Sequence, residues 1–324
     1  MINSNLLTDE LAEKISAEAV KFHIAAEAGR ILRHMVIGSI KETLKEDDKK
    51  VAHDILFTAL FKSLAPFEKQ FQMMLKRIWG EEERILIANI KKMKKAWLHK
   101  DKIDDIMYPR KPFEKKLTTE SRKIIVETMK KQGDIEAAKL EAQLKHKGYK
   151  KADEPLSISF DVNNPEVQKW LNSYVPMFSE KLEDVNVKKL RATLIEGIEA
   201  GEGVPELTNR VYETYKDWGF KRAEDIAQNQ VIRASNKAAL NVYRQSGVVT
   251  KKIWLSYLDD RVCPHCESLD GKVVGLETNF FDIGDESIVK VDGKEQKLSM
   301  NYEPIEAPPL HNRCRCSISP WIED

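Results

Sequence analysis

The sequence is poor in the residues that would mark it for export, for a membrane or for disulfide cross-linking. Only 4 of its 324 residues are cysteines, and all of them lie in the last quarter of the chain. No stretch approaches the 18 or more consecutive apolar residues of a membrane-spanning helix. Residues 1–20 mix charged and apolar side chains instead of forming a secretory signal. These absences predict a protein made in a cytosol, without membrane contact.

An excess of charge of one sign is also lacking. The chain has 53 Lys and Arg against 52 Asp and Glu, a net charge of +1, so no global field indicates a nucleic-acid or membrane partner. Cations are locally enriched between Lys91 and Lys116 and again at Lys145–Lys151. This local pattern favours a solvated helix face and leaves open a surface for DNA phosphates or an acidic protein.

Catalytic signatures are equally scarce. The sequence has no phosphate-binding loop of the form Gly-x-x-x-x-Gly-Lys-Ser/Thr, no His-Glu-x-x-His and no Gly-x-Ser-x-Gly. Glu81-Glu82-Glu83 is more typical of a charged helix face than of a catalytic carboxylate set. His265 and His311 are the only histidines after residue 150, too few for a histidine-metal nuclease. We therefore predict that the protein is not an enzyme.

The apolar spacing in the first half of the chain predicts helices along nearly all of it. Pro66, Gly80 and Gly133 predict interruptions of these helices. A change in composition near residue 150 predicts a boundary between a helical partner-docking region, residues 1–150, and a second domain, residues 151–324. Apolar side chains recur at helical spacing at Leu11, Ile15, Ala19 and Phe22, and at Leu86, Ile90, Met93 and Trp97.

The second domain predicts helices followed by a small antiparallel sheet, so the expected fold class is α+β. Alternating apolar residues over 156–162 predict a short strand, and Asn164-Pro165 predicts the start of the next helix. Further helices are expected to stop at glycines, a strand to cover Ile253–Tyr257, and a hairpin to turn at Asp292-Gly293. The expected helix stops are Gly201, Gly219 and Gly247.

The cysteines and a histidine form a cluster with the spacing of a metal site. Cys263 and Cys266 form a Cys-x-x-Cys pair, and His311 and Cys314 follow at the same spacing, with Cys316 as the alternative fourth ligand. Thiolates and imidazoles bind Zn²⁺ tetrahedrally. In a reducing cytosol this clustering favours metal over structural disulfides, whereas free thiols and redox chemistry stay open. The predicted cofactor is a structural zinc ion that ties the sheet together.

The redox alternative rests on the four residues Cys-Pro-His-Cys, which also occur in thioredoxin-like oxidases. There the first cysteine begins a helix after a buried strand. Here the motif follows the charged residues Asp259-Asp260-Arg261 and leads into Leu269-Asp270-Gly271, with no βαβ pattern around it. We therefore favour the metal interpretation.

Several separated motifs resemble, in the same order, those of the phage head morphogenesis family, the MuF-like minor head proteins. They are Tyr243–Val248, Lys252-Ile253-Trp254, Asp259–Gly271 and Pro308–Cys316. The resemblance covers roughly residues 160–320. One departure is Arg233-Ala234-Ser235, where many relatives carry Arg-Thr-Glu, so any role of that glutamate does not transfer.

The resemblance implies a minor capsid protein of a tailed bacteriophage, inside the head at the portal vertex and in the host cytoplasm during assembly. It implies a role in head assembly and in genome packaging, retention or ejection. The expected partners are the portal protein and the major capsid or scaffold protein. We add the hypothesis that the basic segment Lys91–Lys116 faces packaged DNA.

Two alternative functions remain. One is a zinc-stabilised DNA-binding adaptor, which strongly salt-dependent DNA binding would favour. The other is an enzyme of the toxin type that can accompany MuF-like domains, such as an ADP-ribosyltransferase. That enzyme needs a β-rich NAD cleft, which the helical first half does not predict.

Overall fold

The computed structural model describes residues 46–93, 99–149, 157–301 and 303–322. These residues have the predicted α+β fold, with helices first and small antiparallel sheets after them. Among the described residues, no helix combines the length and the apolarity needed to cross a bilayer. Leu11, Ile15, Ala19, Phe22, Trp97 and Leu156, on which parts of the helix and strand predictions rest, lie outside this part of the chain.

Helices fill most of the described chain up to residue 246. They are α1 (Glu46–Lys92), a 3-10 turn (Lys100–Lys102), α2 (Ile103–Ile106), α3 (Arg110–His146), α4 (Pro165–Glu199), α5 (Val204–Asp217) and α6 (Ala223–Ser246). A π-helical segment, Trp218–Arg222, joins α5 to α6.

Short strands follow the last long helix. They are β1 (Lys251–Leu255), β2 (Val273–Gly275), β3 (Glu286–Val291), β4 (Lys294–Ser299) and β5 (Ser317–Trp321), with a single helical turn, α7 (Pro264–Glu267), after β1. In the three-stranded sheet β1 is central and pairs antiparallel with β2 and β5, so that Ile253 lies opposite both Val273 and Ser319. The other two strands form an antiparallel hairpin.

The described residues group into two compact units. The helical unit consists of Pro66–Glu127 and Val162–Val231. The sheet unit consists of Thr128–Asp161, the residues from Ile232 onward and the described residues up to Ala65. Each unit contains residues from both halves of the sequence. The predicted division at residue 150 concerns functional regions of the chain and stays a prediction.

Several predicted chain stops and starts are confirmed. Asn164 caps α4, since its Oδ1 accepts a hydrogen bond from the backbone N–H of Glu166 at 3.0 Å. Gly201 and Gly247 follow helix ends with φ of +75° and +68°, a left-handed conformation that glycine adopts without steric cost. The predicted hairpin is present, with positive φ at both Asp292 and Gly293, as a type I′ turn requires.

Four predicted helix interruptions are wrong. Helix α1 continues through Pro66 and Gly80, and α3 continues through Gly133. Gly219 lies within the π-helical segment and does not end the helical path. At Gly133 the reason is tertiary, because a Cβ there would overlap the ring of Phe160. That glycine therefore serves close packing and is not a helix stop.

The strand predicted over 156–162 is also wrong for the residues that the structure describes, 157–162. The backbone N–H of Ile158 donates to Glu141 Oε2 at 3.0 Å, and that of Asp161 donates to Gln245 Oε1 at 2.9 Å. Helix side chains therefore satisfy this backbone in place of a neighbouring strand. The side chains of Ile158 and Phe160 instead pack against the core of the sheet unit.

The charged helix face predicted at Glu81-Glu82-Glu83 is only partly correct. Glu81 accepts a hydrogen bond from Lys116 Nζ at 2.5 Å near the surface. Glu82, however, is fully buried in the helical unit. A charged side chain with no exposure needs compensating partners, which are described below.

Candidate metal centre

The Cys-x-x-Cys pair lies on the turn that follows the central strand β1. Cys263 is the N-cap of α7, and its Sγ accepts a hydrogen bond from the backbone N–H of Cys266 at 3.3 Å. The sequence predicted that the motif leads into Leu269-Asp270-Gly271 rather than a helix, whereas Pro264–Glu267 form one helical turn before that segment. This turn points both cysteine sulfurs to the same side.

The Asp270-Gly271 turn returns the chain to β1 and fixes this loop. Asp270 Oδ1 accepts a hydrogen bond from the backbone N–H of Ser256 at 2.7 Å. Gly271, with φ of +77°, donates its N–H to the carbonyl oxygen of Trp254 at 2.9 Å. The family-like motif thus holds the cysteine turn against the end of the central strand.

The second half of the cluster lies just before β5, which pairs with the same central strand. A tight turn joins His311 to Cys314, whose backbone N–H donates to the carbonyl oxygen of His311 at 3.2 Å. Since β5 begins at Ser317, antiparallel pairing of β1 with β5 brings two segments 48 residues apart to one place. All five predicted residues meet there.

The ligand atoms lie close together. His311 Nε2 is 2.9 Å from Cys263 Sγ and 3.1 Å from Cys266 Sγ, and Cys266 Sγ is 3.8 Å from Cys314 Sγ. Cys266 belongs to two triads with ligand atoms within 4.8 Å of one another, one with Cys263 and His311 and one with Cys314 and Cys316. Two sulfurs on a tetrahedral Zn²⁺ with bonds of about 2.3 Å are separated by roughly 3.8 Å. These Cys/His groups could hold a metal ion.

The histidine has the hydrogen bond that orients a metal ligand. His311 Nδ1 lies 2.6 Å from the carbonyl oxygen of Asn312. A carbonyl oxygen only accepts, so Nδ1 carries a proton and donates it, which leaves Nε2 as the ring nitrogen that faces the sulfurs. Such a bond on the far ring nitrogen fixes the tautomer and the orientation of metal-binding histidines.

The thiols and the imidazole perturb one another's acidity. Hydrogen bonds from Cys266 and His311 outweigh burial and lower the pKa of Cys263 to about 4. The hydrogen bond to Cys263 and burial raise the pKa of Cys266. Burial lowers the pKa of His311, but the neighbouring Cys263 and Cys314 outweigh it and raise that pKa to about 9. Negative charge therefore gathers on Cys263 and Cys314, whose pKa values are lowered, and not on Cys266.

Ser256 connects the cluster to the core. Its hydroxyl donates to the carbonyl oxygen of Cys266 at 2.5 Å and accepts a hydrogen bond from Trp254 Nε1 at 3.1 Å. The Cys316 sulfur lies 3.6 Å from the same hydroxyl. Ser256 and Trp254 are fully buried, so the cluster is backed by packed, hydrogen-bonded core.

Through the side chain of Asn236, helix α6 is hydrogen-bonded to the chain at the start of β5, the strand that follows the cluster. Asn236 Nδ2 donates to the carbonyl oxygen of Cys316 at 3.1 Å, and its Oδ1 accepts from the backbone N–H of Ile318 at 3.1 Å. The Ser317 hydroxyl also donates to this Oδ1 at 3.1 Å. The sequence analysis missed Asn236 because a lone asparagine in a helical pattern gives no signal of its role.

An ion pair outside the cluster also joins the two chain segments that supply its cysteines and histidine. Arg315 forms a bidentate pair with Asp259, at 2.7 Å from Nη1 to Oδ2 and 2.5 Å from Nη2 to Oδ1. The hydrogen bonds from Arg315 lower the pKa of Asp259 to about 2. The guanidinium also lies 4.8 Å from the centre of the Tyr257 ring. Both charged residues belong to the recognised motifs, but the sequence does not reveal their pairing.

The buried lysine of the central strand was also missed. Lys252 is fully buried, and its Nζ donates to the carbonyl oxygen of Leu276 at 2.8 Å. Burial lowers the pKa of this lysine to about 8. A lysine next to a predicted strand gives no signal of burial, but β1 is buried on both faces from Lys252 to Leu255.

The basic segment Lys91–Lys116 is described except for residues 94–98. Many of its cations face carboxylates within the helical unit. Lys100 lies 3.5 Å from Glu199, and Arg110 lies 2.5 Å from Asp184. Together with the pair between Lys116 and Glu81, these contacts reduce the positive charge offered to a partner.

A comparison with protein families gives a match that includes the cluster. Residues 188–319, about two fifths of the chain, match the family described as Phage Mu protein F like protein. Searches of curated proteins and of solved structures gave no significant match. The matched residues contain all five side chains of the cluster. The predicted resemblance to the MuF-like head morphogenesis family is thus confirmed over residues 188–319, and it suggests a phage head morphogenesis protein.

Proposed function

We propose that this protein is a minor structural protein of a tailed-phage head that acts at the portal vertex and is not an enzyme. The observation that carries the proposal is the match of residues 188–319 to the Mu F-like family. Its tasks are head assembly and the packaging, retention or ejection of the genome. Its location is the head interior of the virion, after assembly in the host cytoplasm.

Quantitative mass spectrometry of purified particles from the encoding phage or induced prophage tests this proposal. We expect a few copies of the chain for each portal ring, and cross-linking of intact particles should join it to the portal protein. A copy number close to that of the major capsid protein would contradict the portal location. Absence from both mature particles and precursor heads would contradict a role in the head.

We further propose that the cluster binds one structural Zn²⁺ through Cys263, Cys266, His311 and Cys314. The convergence of sulfur and imidazole atoms and the fixed histidine tautomer support a tetrahedral site whose ligands all come from the protein. Such an ion cross-links the turn after β1 to the segment before β5. Its loss should therefore loosen the sheet unit rather than abolish a reaction.

Metal analysis of purified protein and its cysteine variants tests the zinc site. Wild-type protein should carry one equivalent of zinc, and Cys263→Ser should lose metal content and thermal stability together. Excess chelator should lower the stability of the wild type to that of Cys263→Ser and leave the variant unchanged. Full stability of the wild type in excess chelator would refute a structural role of the metal.

The partners follow from the same proposal. Residues 1–150 dock against the portal protein or against the major capsid or scaffold protein, and exposed cations of Lys91–Lys116 face packaged DNA. Lys91, Lys92 and Lys115 are exposed and suit this contact. Reversing these three charges should reduce DNA retention in assembled heads. The matched control reverses three exposed cations outside both basic segments, Lys188, Lys189 and Lys294. Unchanged retention in the variant of Lys91, Lys92 and Lys115 would refute the DNA contact.

A further inference from the structure

The helical unit encloses a pair of glutamates that the proposed function does not use. Glu82 on α1 and Glu183 on α4 are both fully buried. Their carboxyl groups lie within hydrogen-bonding reach of each other. Two ionised carboxylates in contact, away from water, repel each other and also lose their hydration. This pair therefore needs something that neutralises at least one charge.

Two tyrosines supply hydrogen bonds to the pair. Tyr108 donates its hydroxyl to Glu183 Oε2 at 3.1 Å, and Tyr215 donates to Glu82 Oε2 at 3.3 Å. The other oxygen of each carboxyl, Oε1, is buried and has no donor among the residues that the structure describes. A carboxylate only accepts hydrogen bonds, whereas a protonated carboxyl also donates one. One proton held between the two groups provides the missing donor.

The charged groups around the pair do not remove this need. Arg222, from the π-helical segment, is the cation that interacts with both glutamates, and it lies 4.6 Å from the centre of the Trp218 ring. From α3, Arg110 attracts Glu183 and Glu114 repels it. Burial and the contact between the carboxyls raise the pKa of Glu82, and burial raises that of Glu183.

We propose that Glu82 and Glu183 form a proton-binding site that holds α1 and α4 together within the helical unit and releases them when it ionises. At neutral pH the folded protein keeps a proton that the unfolded chain has lost, since an exposed glutamate ionises near pH 4.3. Stability from the pair is fully present below that pH. It falls as pH rises towards the raised pKa of the folded state.

Amide hydrogen exchange of the helical unit, corrected for intrinsic exchange rates, tests the site between about pH 6 and about pH 9. Glu82→Gln is the main variant, because an amide has the size of a protonated carboxyl and donates permanently. The ratio of closed to open forms of the helical unit should fall in the wild type by up to tenfold for each pH unit relative to Glu82→Gln. Glu180→Gln, an exposed change on α4, should keep the pH dependence of the wild type.

The same pH dependence in wild type and Glu82→Gln would overturn the proposal. If Glu82→Gln does not fold, Glu183→Gln serves in its place. If neither variant folds, exchange in the helical unit of the wild type that does not rise with pH overturns the proposal. Slower exchange of the wild type at high pH on addition of Mg²⁺ or Ca²⁺, without effect on Glu82→Gln, would identify a cation site and would also overturn it.

Discussion

Replacing Asn236 by alanine should weaken the sheet unit more than the same change at Asn241, another buried asparagine of α6. The side chain is 2% exposed and bonds two backbone groups of the chain around β5. Alanine would leave the N–H of Ile318 and the carbonyl oxygen of Cys316 buried without this partner. Each buried group that loses its partner costs about 1–3 kcal/mol. The better helix propensity of alanine offsets roughly 0.6 kcal/mol.

The expected loss is therefore about 2–5 kcal/mol of unfolding free energy. Amide exchange of residues 317–321, or urea unfolding monitored for the sheet unit, measures it. Because Asn236 holds the chain at Cys316, two residues after the proposed ligand Cys314, the variant should also give up metal to a chelator faster than the wild type.

The matched control is Asn241→Ala on the same helix. Asn241 is also 2% exposed, but its Nδ2 donates to the carbonyl oxygen of Lys237 within the helix, at 2.8 Å. That carbonyl already belongs to the helix ladder, so the expected loss is about 1 kcal/mol or less. Equal losses in the two variants, or none in Asn236→Ala, would refute the reasoning that Asn236 holds β5.

Two further predictions concern packing and acid stability. Gly80→Ala should stabilise the protein by up to about 1 kcal/mol, because the helix has open space there. Gly133→Ala should cost about 1–3 kcal/mol, because the added methyl group overlaps the ring of Phe160. A shift of the thermal unfolding temperature in the same direction in both variants would contradict this. Asp259→Asn should lower stability at neutral pH, because the pair with Arg315 is lost. Since the pKa of Asp259 is lowered to about 2, the difference in unfolding free energy between wild type and variant should disappear as the pH falls from about 4 to about 2. A difference that stays constant during acid denaturation would count against the ion pair.

Local pattern was sufficient to predict the type of most elements. Helical spacing, the Asn164 cap and the Asp292-Gly293 turn act through neighbouring residues, and each is confirmed where the structure describes the chain. The wrong predictions concern positions where residues distant in the sequence determine the local structure. Phe160 makes Gly133 a packing position, and Glu141 satisfies the backbone of a segment that alternates like a strand.

The cluster could be predicted because cysteine is rare in the chain and its spacing is distinctive. The residues that hold the cluster in place could not be predicted. Asn236 and Ser256 are common residue types, and their roles depend on which backbone group lies opposite them in the fold. Glu82 shows the same limit, because a run of three glutamates gives no indication that the middle one faces the interior.

The cluster offers five ligands, while a tetrahedral ion takes four, and the surroundings of Cys316 favour leaving it out. Its sulfur lies 3.6 Å from the Ser256 hydroxyl. Its carbonyl oxygen accepts from Asn236 and so ties it to α6. Cys314, by contrast, lies 3.8 Å from Cys266 and follows His311 at the same spacing as the first pair of cysteines. On this geometry Cys314→Ser should release the metal and Cys316→Ser should retain it; the reverse pattern would make Cys316 the fourth ligand.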